Sequence, residues 1–302
     1  MQLGFVIDHS RCIGCHACTV ACKAENDVAV GSFRTWVKYT ERGAFPDVRR
    51  SFGVLRCNQC TDAPCVTICP VHALAKRPDG IVDVDPDRCI GCKSCLQGCP
   101  YDALYINDAS GTAEKCHFCA HRVERGLAPA CAIVCPTEAI IPGDFDDPGS
   151  VVSGLKASER LQVRKPEART QPNVFYKEAD RATLTPLATG SAGGFLWADR
   201  QPGPQLDAQL FEELERKASN GSAGTARTVY DVGHGSPWGA RVSTYLFTKS
   251  LAAGSFLAGA LLMPPLALGA GMDARASAWC AGLGLAFLLV TTVLLVLDLK
   301  RP

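Results

Sequence analysis

The chain has 302 residues and a formal net charge of +1, enough length for one or two domains and too even a charge for a nucleic-acid footprint, so no nucleic-acid partner is expected. Cysteine is the outlier: there are 17, of which sixteen lie between Cys12 and Cys135 and one, Cys280, sits alone in an apolar stretch. The opening "MQLGFVIDHSRCIGC" has neither a basic start nor a long apolar run, and Arg49–Arg50 lie too far in to read as a twin-arginine signal. A chain made without an export signal is expected in a reducing compartment, where dense cysteines argue for metal rather than disulfides.

Three zones follow in chain order. Residues 1–143 carry the cysteine runs, 144–238 are rich in Gly, Pro and Ser, and 239–302 are mostly apolar. The first zone repeats internally: "DHSRCIGC" matches "DPDRCIGC", "RCNQC" resembles "KCHFC", and the runs end in "CPVHAL", "CPYDAL" and "CPTEAI". Short strand-like segments, "GIVDVD" and "ALYIN", flank small-residue loops. The fold class expected is α+β: duplicated two-cluster modules of the bacterial ferredoxin type, then a linker, then a two-helix transmembrane hairpin. In the linker, where little regular structure is expected, "PNVFYK" reads as an isolated strand, "LDAQLFEELERK" as a short amphipathic helix and "ASNGSAGT" as flexible chain.

The third zone holds two charge-free runs, Ser250–Met272 and Ala276–Leu297. Each exceeds the roughly 20 residues that cross a bilayer, which places helices at about 245–271 and 276–297. Pro264 and Pro265 interrupt the first, a break that neighbouring helices can satisfy. Arg241, Lys249, Lys300 and Arg301 put the positive charge at both ends of the hairpin. The positive-inside rule then sets the cysteine zone on the cytoplasmic side of the membrane, export with a signal-bearing partner to the periplasmic side being the alternative.

The cysteines form four runs: Cys12, Cys15, Cys18, Cys22; Cys57, Cys60, Cys65, Cys69; Cys89, Cys92, Cys95, Cys99; and Cys116, Cys119, Cys131, Cys135. The first and third have the C-x2-C-x2-C-x3-C spacing in which three thiolates hold one cube and the fourth reaches another. Sixteen ligands divide into four 4Fe–4S clusters with none left over. Runs two and three lie close enough for a local pair, which leaves the first to pair with the fourth; spacing alone also allows the first with the second. Zinc sites would use paired C-x2-C units with fewer third cysteines, so a zinc-binding, membrane-anchored interaction module is the rival from another class. Lys23 stands where the other three runs have proline after the fourth cysteine, leaving a backbone N–H and a helical continuation through "KAEN".

On "CIGCHACTVACKAEN", "CNQCTDAPCVTICP" and "KCHFCAHRVERGLAPACAIVCPTEAI", the first zone resembles the four-cluster iron–sulfur subunit of the molybdopterin oxidoreductases: dimethyl sulfoxide, polysulfide and nitrate reductase, and formate dehydrogenase. The resemblance implies crossed ligand sets: Cys12, Cys15, Cys18 with Cys135; Cys116, Cys119, Cys131 with Cys22; Cys57, Cys60, Cys65 with Cys99; and Cys89, Cys92, Cys95 with Cys69. "SPWGARVSTYLFTKSLAAGSFLAGALL" and "VLDLKRP" resemble the start of the polysulfide-reductase type of membrane subunit, as if the two were fused and the second cut short. The implied role is electron relay between a molybdopterin catalytic subunit and a multi-helix, quinone-reactive membrane subunit. A hydrogenase or an alternative quinol-oxidising complex could use the same subunit. No nucleophile–base pair, phosphate loop or dinucleotide fingerprint suggests catalysis by the chain itself.

Overall fold

Strand β1 (Leu3–Asp8) is buried at every position because it is the middle strand of its sheet. A computed structural model describes residues 1–44, 46–185, 190–191, 226–233, 239–262 and 274–299. From β1 the chain passes through the first run into α1 (Ala17–Glu25), then a long hairpin of β2 (Thr35–Ala44) and β3 (Asp47–Arg56). The second run leads to α2 (Pro64–Thr67) and the pair β4 (Leu74–Lys76) and β5 (Val82–Val84). The third leads to α3 (Ser94–Gly98) and the pair β6 (Leu104–Asn107) and β7 (Thr112–Lys115). The fourth leads through α4 (Ala120–Val123) and α5 (Ala130–Ile133) into β8 (Ile140–Asp144).

The strand before the first run pairs with the strand after the fourth. β1 and β8 are antiparallel from Leu3↔Asp144 to Ile7↔Ile140, and α1 packs on α5. In the same way α2 of the second run packs on α3 of the third. A Cβ at Gly98 would meet Ile68 Cγ2 at 3.1 Å and the Pro64 carbonyl at 3.4 Å, so glycine is what lets these two turns approach. The elements therefore join first run with fourth and second with third.

Two expectations for residues 144–238 are corrected. "PNVFYK" is no isolated strand: β9 (Val174–Lys177) pairs in parallel with β1, from Phe5↔Val174 to Asp8↔Lys177. Regular structure is also denser than expected, with α6 (Val151–Ser158), β9 and α7 (Arg181–Leu184). The reason is a few well-placed apolar side chains, Val152, Val174, Tyr176 and Leu184, which are buried although the zone's average composition is polar. β10 (Gly190–Ser191) and β11 (Arg227–Tyr230) extend the β2–β3 sheet in the order β10-β11-β2-β3. "LDAQLFEELERK" and "ASNGSAGT" lie outside the described residues.

The chain divides into two compact units, one of residues 1–88, 94–107 and 113–234, the other of 89–93, 108–112 and 235–302. The smaller unit contains helices α8 (Ala240–Leu262) and α9 (Ala274–Asp298). They pack on each other: Phe256 lies against Gly284, and Thr248 Oγ1 is 2.7 Å from Thr291 Oγ1. Among the described residues, Ala278–Asp298 is the one stretch long and apolar enough to cross a membrane. The first span was expected over about 245–271. Its helix starts earlier, at Ala240, and the residues after Leu262, Pro264 and Pro265 included, lie outside the described ones. Also within this unit, Lys93 Nζ pairs with Asp298 Oδ2 at 3.0 Å, tying the loop of the third run to the end of α9.

Candidate metal centres

The four runs share a backbone device. The residue just before the second cysteine has positive φ in every run: Gly14 (71°), Gln59 (46°), Gly91 (70°) and Phe118 (60°). This left-handed step curls the chain so that successive thiols face a common point. Two runs use glycine, which adopts it freely. The other two use side chains that are buried, Gln59 and Phe118, and their contacts hold the conformation. The Gln59 amide donates to the Cys116 carbonyl at 2.8 Å and its Oε1 accepts the Val82 N–H at 2.8 Å, linking the second and fourth runs.

A second device follows the fourth cysteine. In "CPVH", "CPYD" and "CPTE" the third residue after the cysteine, His72, Asp102 or Glu138, again has positive φ. The turn aims backbone N–H groups at sulfur: the N–H of Ala73 donates to Cys69 Sγ and that of Ala139 to Cys135 Sγ, both at 3.2 Å. The first run lacks the proline, and α1 runs on through Lys23 to Glu25. Lys23 then donates to the carbonyls of Ala29 (2.8 Å) and Ser32 (2.5 Å). Glu25 pairs with His121 at 2.8 Å and Arg122 at 2.9 Å, binding the first run to the fourth.

Cys12, Cys15, Cys18 and Cys135 line one cavity, walled by apolar side chains including Val37, Val54 and Ile140. Cys22 is an electrostatic neighbour of Cys116, Cys131 and Cys119, and Asn26 Nδ2 donates to its Sγ at 3.7 Å. Cys99 neighbours Cys57, Cys60 and Cys65. These neighbours bring together members of the first three expected sets, and some cross between sets: Cys18 also neighbours Cys131, and Cys57 neighbours Cys116. Of the fourth set, Cys69 and Cys95 lie in the larger unit, and Cys89 and Cys92 in the smaller. His16, inside the first loop, packs its ring against Tyr39 and Tyr230.

Burial pushes the thiols of Cys18 and Cys65 up to about 11 and raises Cys22 and Cys57 as well. Such thiols stay protonated on their own, and a metal that takes them displaces the protons. Burial also pushes on Cys135, but the N–H of Ala139 and the groups of Thr137 outweigh it and lower that thiol.

Two buried cations stand among these sulfurs, and the spacing of the runs gave no sign of them. Arg56 is fully buried; its Nη1 donates to Cys131 Sγ at 3.2 Å, while Nε and Nη2 have no hydrogen-bond partner among the described residues. Lys115 is also buried, donating to the Val82 carbonyl and, at 3.0 Å, to that of Cys116. An uncompensated buried cation is costly, and neutral thiols compensate poorly. Thiolates bound to iron supply the missing negative charge, so the residues fit an iron–sulfur group. Among the described residues no three His, Cys, Asp or Glu side chains are grouped for a single metal ion; a four-iron cube, with a metal at each of four corners, makes a different demand.

A family model described as "4Fe-4S dicluster domain" matches residues 48–145, and one described as "4Fe-4S binding domain" matches residues 3–24. The B subunit of tetrathionate reductase from Salmonella typhimurium is 46% identical over 202 residues, covering 66% of this chain and 80% of the relative. The arsenate respiratory reductase iron-sulfur subunit of Shewanella is 37% identical, over 58% of this chain and 96% of the relative. The B component of polysulfide reductase from Wolinella succinogenes is 40% identical, over 58% and 93%.

Proposed function

This polypeptide belongs to the iron–sulfur subunits of the molybdopterin oxidoreductases, and on that premise we propose that it relays electrons through four 4Fe–4S clusters between a molybdopterin catalytic subunit and a quinone-reactive membrane partner. It is an electron-transfer subunit of a reductase complex; the number of clusters, their ligand sets and the two partners are the proposal. When bound, the clusters supply one-electron carriers. The chain's own residues hold them in crossed sets: Cys12, Cys15, Cys18, Cys135; Cys22, Cys116, Cys119, Cys131; Cys57, Cys60, Cys65, Cys99; and Cys69, Cys89, Cys92, Cys95. The observation that carries this reading is the joining of first run with fourth and second with third, through β1–β8, α1–α5 and α2–α3.

The membrane side rests on the smaller unit. The apolar helix α9, the helix packed on it and the Lys93–Asp298 pair support a two-helix membrane segment beside the loop of Cys89 and Cys92. That would make the loop of Cys89 and Cys92 the exchange point with a quinone-side partner. The resemblance of residues from Ser236 onward to a membrane subunit supports the same arrangement, and the charged residues flanking the helices favour the cytoplasmic side. Purification of the chain with its native partners tests the reading. A co-purifying large subunit that carries molybdenum is expected; a nickel-bearing partner in its place would contradict it.

A further inference from the structure

We propose that Arg56 raises the reduction potentials of the first two clusters together, because its buried guanidinium hydrogen-bonds a cysteine of one set and is an electrostatic neighbour of a cysteine of the other. The inference rests on the four-cluster reading and deepens it. Arg56 ends β3, directly before the second run, yet its hydrogen bond goes to the fourth run. It hydrogen-bonds Cys131 of the second set at 3.2 Å and interacts with Cys116 of that set and with Cys18 of the first. The Phe5 ring, 4.4 Å from Cζ, closes the site from the β1 side, so solvent does not screen the charge.

Reduction adds one electron and one negative charge to a cluster and makes or breaks no bond to the protein. A fixed cation nearby stabilises the reduced form more than the oxidised one, and a hydrogen bond to a ligand sulfur acts in the same direction. From Arg56 the second set receives both effects and the first only the charge. The third set has its own buried cation, Lys115, which acts on Cys57, Cys60 and Cys65 and is untouched by a change at Arg56. Arginine suits the place because it stays charged when buried, whereas lysine is readily neutralised there.

The test is an anaerobic titration of the full chain, with dithionite as reductant and ferricyanide as oxidant, followed by electron paramagnetic resonance. In Arg56→Gln two of the four midpoints should fall, the more affected one by enough to change its reduced-to-oxidised ratio about tenfold at fixed potential, roughly 59 mV for one electron. Full iron content with four unchanged midpoints, or with all four shifted alike, would overturn the inference while leaving the four-cluster reading intact. Low iron in the unaltered protein would instead sink that reading. If Arg56→Gln does not load, the unaltered protein decides: grown with guanidino-15N arginine, it should show a weak 15N coupling on one reduced cluster. Absence of that coupling would overturn the inference.

Discussion

At the scale of single residues, spacing made the sixteen cysteines legible, and their neighbours in space were not. A basic residue precedes every run: Arg11, Arg56, Arg88 and Lys115. In the sequence they look alike, but Arg11 and Arg88 are exposed on ion pairs with Glu138 and Asp85, while Arg56 and Lys115 are buried among sulfurs. What separates them is whether other elements cover the strand that leads in, a non-local property. His9 shows another such effect. It is buried edge-on to Tyr176, its Nε2 accepts the Val54 N–H at 3.4 Å, and burial lowers its pKa to about 4. A folded-state value below the unfolded one makes the neutral ring a source of stability above about pH 6.5. That stability is lost as pH falls from about 6.5 through 4. The whole difference is worth on the order of 3 kcal/mol. Denaturant unfolding under anaerobic conditions should show this acid loss in the unaltered protein and a shallower one in His9→Gln; equal slopes would rule out His9 as its source.

At the scale of elements, the repeats revealed the loops, and the structure explains their punctuation. The residues in "CPVH", "CPYD" and "CPTE" that look interchangeable share a left-handed backbone, and in the first and last of these the turn donates an N–H group to sulfur. The missing proline of the first run permits α1 to continue and to place Glu25 on Arg122 and His121. The β2–β3 hairpin was not legible. The outer half of β3 is exposed and only its last four residues reach the core, so no steady alternation marks it. The crossing of the runs predicts a specific pattern. Cys22→Ser and Cys131→Ser, far apart in sequence, should lose the same resonance signal, and Cys18→Ser with Cys135→Ser a different one. Loss of one common signal by Cys22→Ser and Cys18→Ser, with the Cys131→Ser signal intact, would mean that the first run keeps its own cluster.

At the scale of the molecule, composition separated a cysteine-rich zone from an apolar end, and it hid the packing between 151 and 184. There the few buried side chains are diluted by exposed Lys, Arg, Glu and Ser. β9 completes the sheet that holds the first and fourth runs together, so this stretch is part of the larger unit, with those two runs. The apolar end predicts membrane attachment: the chain should stay with membranes through an alkaline carbonate wash and leave them in detergent. Release by carbonate alone would argue against a spanning helix. The central claim, four cubes on crossed cysteines, is tested most directly by iron and acid-labile sulfide analysis of the anaerobically purified chain. The account predicts about 16 irons and about 16 sulfides per chain, as four cubes require. Far fewer of either, or zinc in place of iron, would contradict it.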